Sequence, residues 1–176
     1  SLREAFTRFK GHSTVVSKPL NEAQSKGVKK WPKPLGLDSW MKTFATETQN
    51  FSSPIVIQEY LPGIDLGEIR MWFAAGEFIA ALKKYPKSGD FRVLIDEGSK
   101  VAAYTLSPIE MKIADAVGAV LKKQRVALAA IDFIASASGT LKLSDYNITS
   151  PGLLVQLEKV HGQNFAKTVL QKILTM

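Results

Sequence analysis

Residues 128–148 read LAAIDFIASASGTLKLSDYNI, and this stretch decides the fold. An apolar run, LAAIDFIA, and a mixed run, LKLSDYNI, flank a Ser-Gly pair at 138–139. That is the pattern of a β-hairpin. Side chains alternate between faces along a strand, so Leu141, Leu143, Asp145 and Asn147 share one face. A short loop puts Asp132 opposite Leu143 or Asp145, on that same face. An ionised carboxylate among Ala, Ile and Phe is costly unless it is paired or bound to a cation. Asp132, Asp145 and Asn147 then bring three oxygen-bearing side chains together. Hard oxygen donors without His or Cys suit Mg2+ or Mn2+, and Mg2+ takes one or two carboxylates and completes its shell with water and phosphate oxygens. Spacing alone leaves two readings open, a metal–nucleotide site and a solvated sheet end. The apolar flanks of Asp132 favour the first.

Outward from this hairpin, the pattern is strand-rich. PIVIQEYL (54–61) is a continuous apolar run, typical of a strand covered on both faces. EIRMWFAAG alternates, with Glu68, Arg70, Trp72 and Ala74 on one face and Ile69, Met71 and Phe73 on the other. After Gly76, EFIAALKKYP returns as its antiparallel partner. Residues 89–105 read as partly extended and exposed. STVVSKPL is a strand ending at Pro19, and 21–37 is a loop rich in Lys, Gly and Pro. Helices are expected over 1–10, from an Asp38 N-cap to about Asn50, over 151–160 and over 163–175. The clearest helix starts at Ser107, where Ser at N-cap, Pro at N1 and Glu at N3 form a capping box. The order α-β-α-β-β-β-α-β-β-α-α gives an α+β protein, a mostly antiparallel sheet with helices on one side.

Composition narrows the function. At 176 residues the chain suits a single domain over 1–176 that buries roughly 70% of its unfolded surface. The absence of cysteine excludes thiol chemistry and fits a reducing compartment, with the cytoplasm as the expected location. His12 and His161 lie far apart, without metal-ligand spacing. The longest apolar runs fall short of the ~18 residues of a membrane helix, and the charged start lacks a signal-peptide core. The net charge is +7, but the lysines are scattered pairs without interleaved aromatics. That pattern argues against nucleic acid and for a small polyanion such as a nucleotide. An oligomer is compatible with all of this. The chain starts at Ser1 without Met, which suggests a fragment.

In their order, VVSKPL, VIQEYLPGIDLGEIRMWFAAGEFIAALKKYPKSGDFR, the helix from Ser107, AAIDFI and LSDYNITSP resemble the ATP-grasp half of prokaryotic glutathione synthetase, over roughly residues 13–160. The family carries a further N-terminal domain. The resemblance implies an ATP-grasp-like fold, and an ATP- and Mg2+-dependent ligase that joins an acidic peptide or amino acid to an amine such as glycine through an acyl phosphate. It gives Lys18 to the ATP phosphates, Gln58, Glu59, Tyr60 and Leu61 to the adenine, and Glu68 to the ribose. Arg70 resembles the arginine that holds the acidic substrate. Arg92 resembles a mobile-loop arginine aimed at substrate or phosphate, and Lys84 stands where arginine is usual, keeping the charge without the bidentate fork. Asp132, Asp145 and Asn147 match the metal ligands, with Asp145 one methylene shorter than the usual Glu. Asn147, Thr149 and Ser150 match the substrate-contacting turn; Thr149 and Ser150 equally suit a cap for a helix at 151.

Two departures fall at the phosphate end. The family's glycine-rich loop over the phosphates is here NEAQSKG (21–27), with Gly27 its only glycine, so side chains obstruct close backbone approach. Glu22 repels phosphate if turned inward, and Lys26 offsets it. The family's Asn two residues after the mobile-loop arginine is here Leu94, which cannot ligate. A catalytically weakened nucleotide- or peptide-binding module is therefore the alternative to the ligase.

Overall fold

The computed structural model describes residues 1–22, 25–32, 36–50 and 52–176. The chain divides into two compact units, Ser1–Tyr60 and Leu61–Met176. No described helix is long and apolar enough to cross a membrane.

In the first unit, β1 (Thr14–Pro19) lies between β2 (Lys29–Pro32) and β3 (Ile55–Glu59), antiparallel to both. Two helices pack on it. α1 (Leu2–Phe9) begins with a capping box between Ser1 and Glu4, and α2 (Leu37–Glu47) buries Trp40 and Phe44 against Val15. Leu2, Phe6 and Phe9 close over that cluster, and Trp40 Nε1 donates to the Leu2 carbonyl at 3.1 Å, tying helix to helix.

Residues 29–32, expected within a loop, form β2. Trp31 supplies the reason: its ring sits 5.8 Å from that of Phe44 and its N–H donates to Ser17 Oγ at 2.8 Å. Pro32 is tolerated because β2 is an edge strand. Residues 23–24 and 33–35 of that expected loop lie outside the described residues. Asp38 is not the N-cap of α2. Gly36 holds that position without a side-chain cap, and Asp38 falls in the first turn, where its charge complements the helix N-terminus. β3 is an edge strand, half-buried along its length rather than covered on both faces.

The second unit is a five-stranded antiparallel sheet. β4 (Glu68–Ala74) is central, β5 (Glu77–Tyr85) and β6 (Lys100–Tyr104) lie to one side, and β7 (Leu128–Ala135) and β8 (Leu141–Asn147) to the other. Every residue of β4 is buried. Ile69, Met71 and Phe73 pack against Ala114 and Leu121 of α3 (Pro108–Lys123), while Trp72 packs against Leu157 of α4 (Leu154–His161) and Phe165 of α5 (Phe165–Leu174). The helices therefore cover both faces, not one. An apolar Trp on the otherwise polar face of β4 needs its own cover, and α4 and α5 provide it. Ala75 and Gly76, both at positive φ, make a two-residue turn between β4 and β5. This turn meets α3 backbone to backbone: a Cβ on Gly118 would lie 2.3 Å from the Gly76 carbonyl oxygen.

One irregularity matters for the site. Phe133 pairs with Leu143, but Asp132 pairs with Asp145, so Ser144 is an extra residue in β8. This β-bulge reverses the alternation. Leu141 and Leu143 lie on the Phe133 face, and Asp145 and Asn147 on the Asp132 face, so the four do not share a face as simple alternation predicts.

Candidate active site

Register places the polar residues of four strands on one face. Glu68 of β4 is opposite Lys84 of β5, Arg70 is opposite Asp132 of β7, Asp132 is opposite Asp145 of β8, and Asn147 is opposite Ala130 one row on. Glu68, Arg70, Lys84 and Asp132 are all buried, Asp132 to 2% exposure and Lys84 to 4%.

They form one ion cluster. Arg70 grips Asp132 with two bonds, Nε to Oδ1 at 2.8 Å and Nη2 to Oδ2 at 2.7 Å. Its Nη1 donates to the Gly152 carbonyl at 3.0 Å. Lys84 Nζ bridges Asp132 Oδ2 at 2.8 Å and Glu68 Oε2 at 2.6 Å. Burial opposes the charge on Asp132, but Lys84 and Arg70 outweigh it and hold the carboxyl below the usual carboxylate range. Burial likewise works against the Arg70 guanidinium, and Asp132, then Glu68 and Asp145, reverse this and raise it.

Asp145 is exposed and accepts from the Tyr146 N–H at 3.0 Å. The Nδ2 of Asn147 is buried with no hydrogen-bond partner among the described residues. The donor chemistry of Asp145 and Asn147 fits a hard cation. Asp132 fits in kind, but both of its oxygens already accept from cations. Among the described residues, no three His, Cys, Asp or Glu side chains form a metal-holding group.

The other expected site residues fall elsewhere. Arg92 is engaged by Asp90, Nη2 to Oδ2 at 2.8 Å and Nε to Oδ1 at 3.1 Å. That pair holds the Asp90 carboxyl down to about 2. Thr149 and Ser150 are exposed after β8 and do not cap a helix, since α4 starts at Leu154 behind Leu153. Glu68, expected at the ribose, turns onto Lys84.

Lys18, Gln58, Glu59 and Tyr60 belong to the first unit. Lys18 is opposite Val56 and Gln58 opposite Val16, which places both on the sheet face away from Val15 and the helices packed on it. Glu59 is on the Val15 face, 3.9 Å from His12 Nε2. Lys30 Nζ lies 4.7 Å from the Tyr60 ring centroid, a cation–π contact the sequence reading missed. Leu61 opens the second unit, buried before the 3-10 turn Pro62–Leu66. Also missed were Asp90 and the Gly152 carbonyl. Asp90-Phe-Arg92 was a visible local signal; nothing in the sequence marked Gly152. Of the 21–27 loop, residues 23–24 lie outside the described residues.

Comparison with known proteins gives the family and the fold. The family model for the ATP-grasp domain of prokaryotic glutathione synthetase matches residues 3–162. The glutathione synthetase of Prochlorococcus marinus (strain MIT 9313) is 29% identical over 161 residues, covering 91% of this chain and 50% of that protein. That of Rhodopseudomonas palustris (strain ATCC BAA-98 / CGA009) is 30% identical over 159 residues, covering 90% and 48%. The chain spans about half the length of the curated relatives it matches. Among solved structures, D-cycloserine synthetase DcsG superposes with a TM-score of 0.73 at 15% identity, covering 98% of this chain and 58% of that one. D-alanine–D-alanine ligase from Bacillus anthracis, complexed with ATP, gives 0.65 at 17%, covering 96% and 55%. At such identities the likeness is one of fold.

Proposed function

Because the chain belongs to the family of the prokaryotic glutathione synthetase ATP-grasp domain, we propose that it supplies the nucleotide-handling part of a cytoplasmic ATP-dependent carboxylate–amine ligase. The observation that carries this reading is the convergence of Arg70, Lys84, Asp132, Asp145 and Asn147 on one sheet face. A substrate carboxylate oxygen attacks the γ-phosphorus of ATP, the bond to ADP breaks, and an acyl phosphate forms. The amine then attacks the acyl carbon and inorganic phosphate leaves. Such chemistry needs positioning and charge neutralisation rather than a protein nucleophile.

Arg70 orients the acidic substrate with its planar fork, and Lys84 neutralises phosphate charge. Glu68 holds Lys84 in place. Arg92 reaches substrate or phosphate once it parts from Asp90. Lys18 serves the phosphates, residues 58–61 the adenine, and Thr149 and Ser150 the substrate. A divalent cation, Mg2+ or Mn2+, held by Asp132, Asp145 and Asn147, would neutralise the nucleotide phosphates.

The test is thermal denaturation with and without Mg2+-ATP. Ligand at a hundredfold excess over Kd stabilises by about 2.7 kcal/mol. The parent is expected to gain stability and Asp145→Ala to lose that gain; no gain in the parent refutes the reading. A second reading, a binding module without turnover, draws support from Leu94 and from the single glycine of NEAQSKG. ADP release that requires both γ-glutamylcysteine and glycine favours the ligase over it.

A further inference from the structure

We propose that Arg70 and Lys84 leave Asp132 when a divalent cation binds there, and transfer to the anionic groups that arrive with it. The site then loads metal and anion together and resists metal alone. This rests on the ligase reading above and adds an order to it.

The argument starts from the lone pairs of Asp132. A carboxylate offers roughly four acceptor sites. Three hydrogen bonds from two buried cations already fall on this one: Arg70 Nε on Oδ1, and Arg70 Nη2 and Lys84 Nζ on Oδ2. A dication at its ordinary bond length of about 2.1 Å would stand next to two cationic groups whose three nitrogens are each within 2.8 Å of the same oxygens. At 2% exposure, little water screens that repulsion. Metal and side-chain cations therefore exclude one another on Asp132.

Charge balance points the same way. Three carboxylates, Glu68, Asp132 and the exposed Asp145 opposite it, face two cations, Arg70 and Lys84, so the site carries one net negative charge. A dication alone turns that into one uncompensated positive charge. An incoming phosphate or carboxylate supplies the missing anion and a new partner for the displaced side chains. Each of these keeps one tether as it turns: Lys84 to Glu68 at 2.6 Å, and Arg70 to the Gly152 carbonyl at 3.0 Å. The tethers confine the movement to a swing of the side chain about a fixed anchor.

The experiment is a Mn2+ titration followed by the electron paramagnetic resonance signal of the unbound ion, with and without ADP, allowing for Mn2+ held by ADP in solution. Wild type is expected to bind Mn2+ at least about fivefold more tightly with ADP than without, the low end of ordinary coupling. Lys84→Met is expected to tighten Mn2+ binding without ADP by about the same factor and to shrink the gain from ADP. Should Lys84→Met fold poorly because it strands Glu68, the double variant Glu68→Gln/Lys84→Met removes both ends of the pair and is expected to behave alike. Lys83→Met is the control. Lys83 lies on the opposite face over the Tyr85 and Tyr104 rings, and its loss lowers net charge equally without touching Asp132. An unchanged Mn2+ affinity in Lys84→Met and the double variant overturns the exchange but leaves the ligase reading standing. Equal tightening by Lys83→Met does the same. Absence of Mn2+ binding in every variant, even with ADP, overturns both.

Discussion

Asp132 is an acid held ionised inside the sheet, and its stability contribution follows from its partners. Breaking a buried pair by removing one member strands the other, at a cost of about 3–5 kcal/mol. Asp132→Ala, which takes from Arg70 and Lys84 the carboxylate they share, is expected to lose stability in that range by urea denaturation. The pH dependence has a definite sign. The folded carboxyl titrates below its unfolded value of about 3.9, so its contribution is complete above that pH and disappears as pH falls through the lower folded value. Wild type should therefore weaken on acidification below about pH 4, and Asp132→Asn should show a shallower slope; an unchanged slope would count against the pairing. Asp90, held at about 2 by Arg92, titrates in the same window, but its pair lies at the surface with both side chains only part-buried, so its share is smaller. At this scale the sequence disclosed that Asp132 needed a counter-charge, because its neighbours are apolar. It did not disclose which, since Arg70 is 62 residues away and only sheet register brings them together.

Helix α3 shows what local signals can and cannot carry. Its capping box, Ser107 with Glu110, stands as read, with Glu110 N–H on Ser107 Oγ and Glu110 Oε2 on Ser107 N–H. Ser107→Ala is expected to cost about 1 kcal/mol in thermal denaturation. Gly118, on the same helix, should invert the usual rule. Ala ordinarily stabilises a helix interior relative to Gly by about 1 kcal/mol. Here the new Cβ would strike the Gly76 carbonyl, so Gly118→Ala is expected to destabilise by about 1–3 kcal/mol, the range for overpacking. A rise in melting temperature would contradict the close approach. The strands that escaped sequence reading, β2 and β6, are both edges. β2 is fixed by one aromatic anchor, Trp31, in a stretch whose Lys and Pro content reads as loop. The same dependence on a distant partner hid the cover on both sheet faces: alternation in β4 names its two faces but not the helices that reach them.

At the scale of the molecule, the antiparallel α+β class and the order of the elements other than β2 and β6 were legible because both hairpins and α3 carry local signatures. The division into two units was not, because no linker composition marks Tyr60–Leu61. Size sets different expectations for the two. A 60-residue unit buries only about 60% of its unfolded surface and is marginal. The second unit has two clusters of buried side chains around a fully buried strand. Expressed separately, residues 61–176 are expected to unfold cooperatively by circular dichroism and residues 1–60 to show no sharp transition; the reverse outcome would show that the sheet around β4 does not stand alone. The extra residue at Ser144 has its own consequence. It splits β8 into two segments of opposite parity, so a change in length between residues 136 and 144 shifts the leucine half while the pairing of Asp145 and Asn147 with β7 holds its frame. Deleting Ser144 itself makes Leu143 and Asp145 neighbours on opposite faces, opposite Phe133 and Asp132, so the bulge is lost while both halves keep the faces they have.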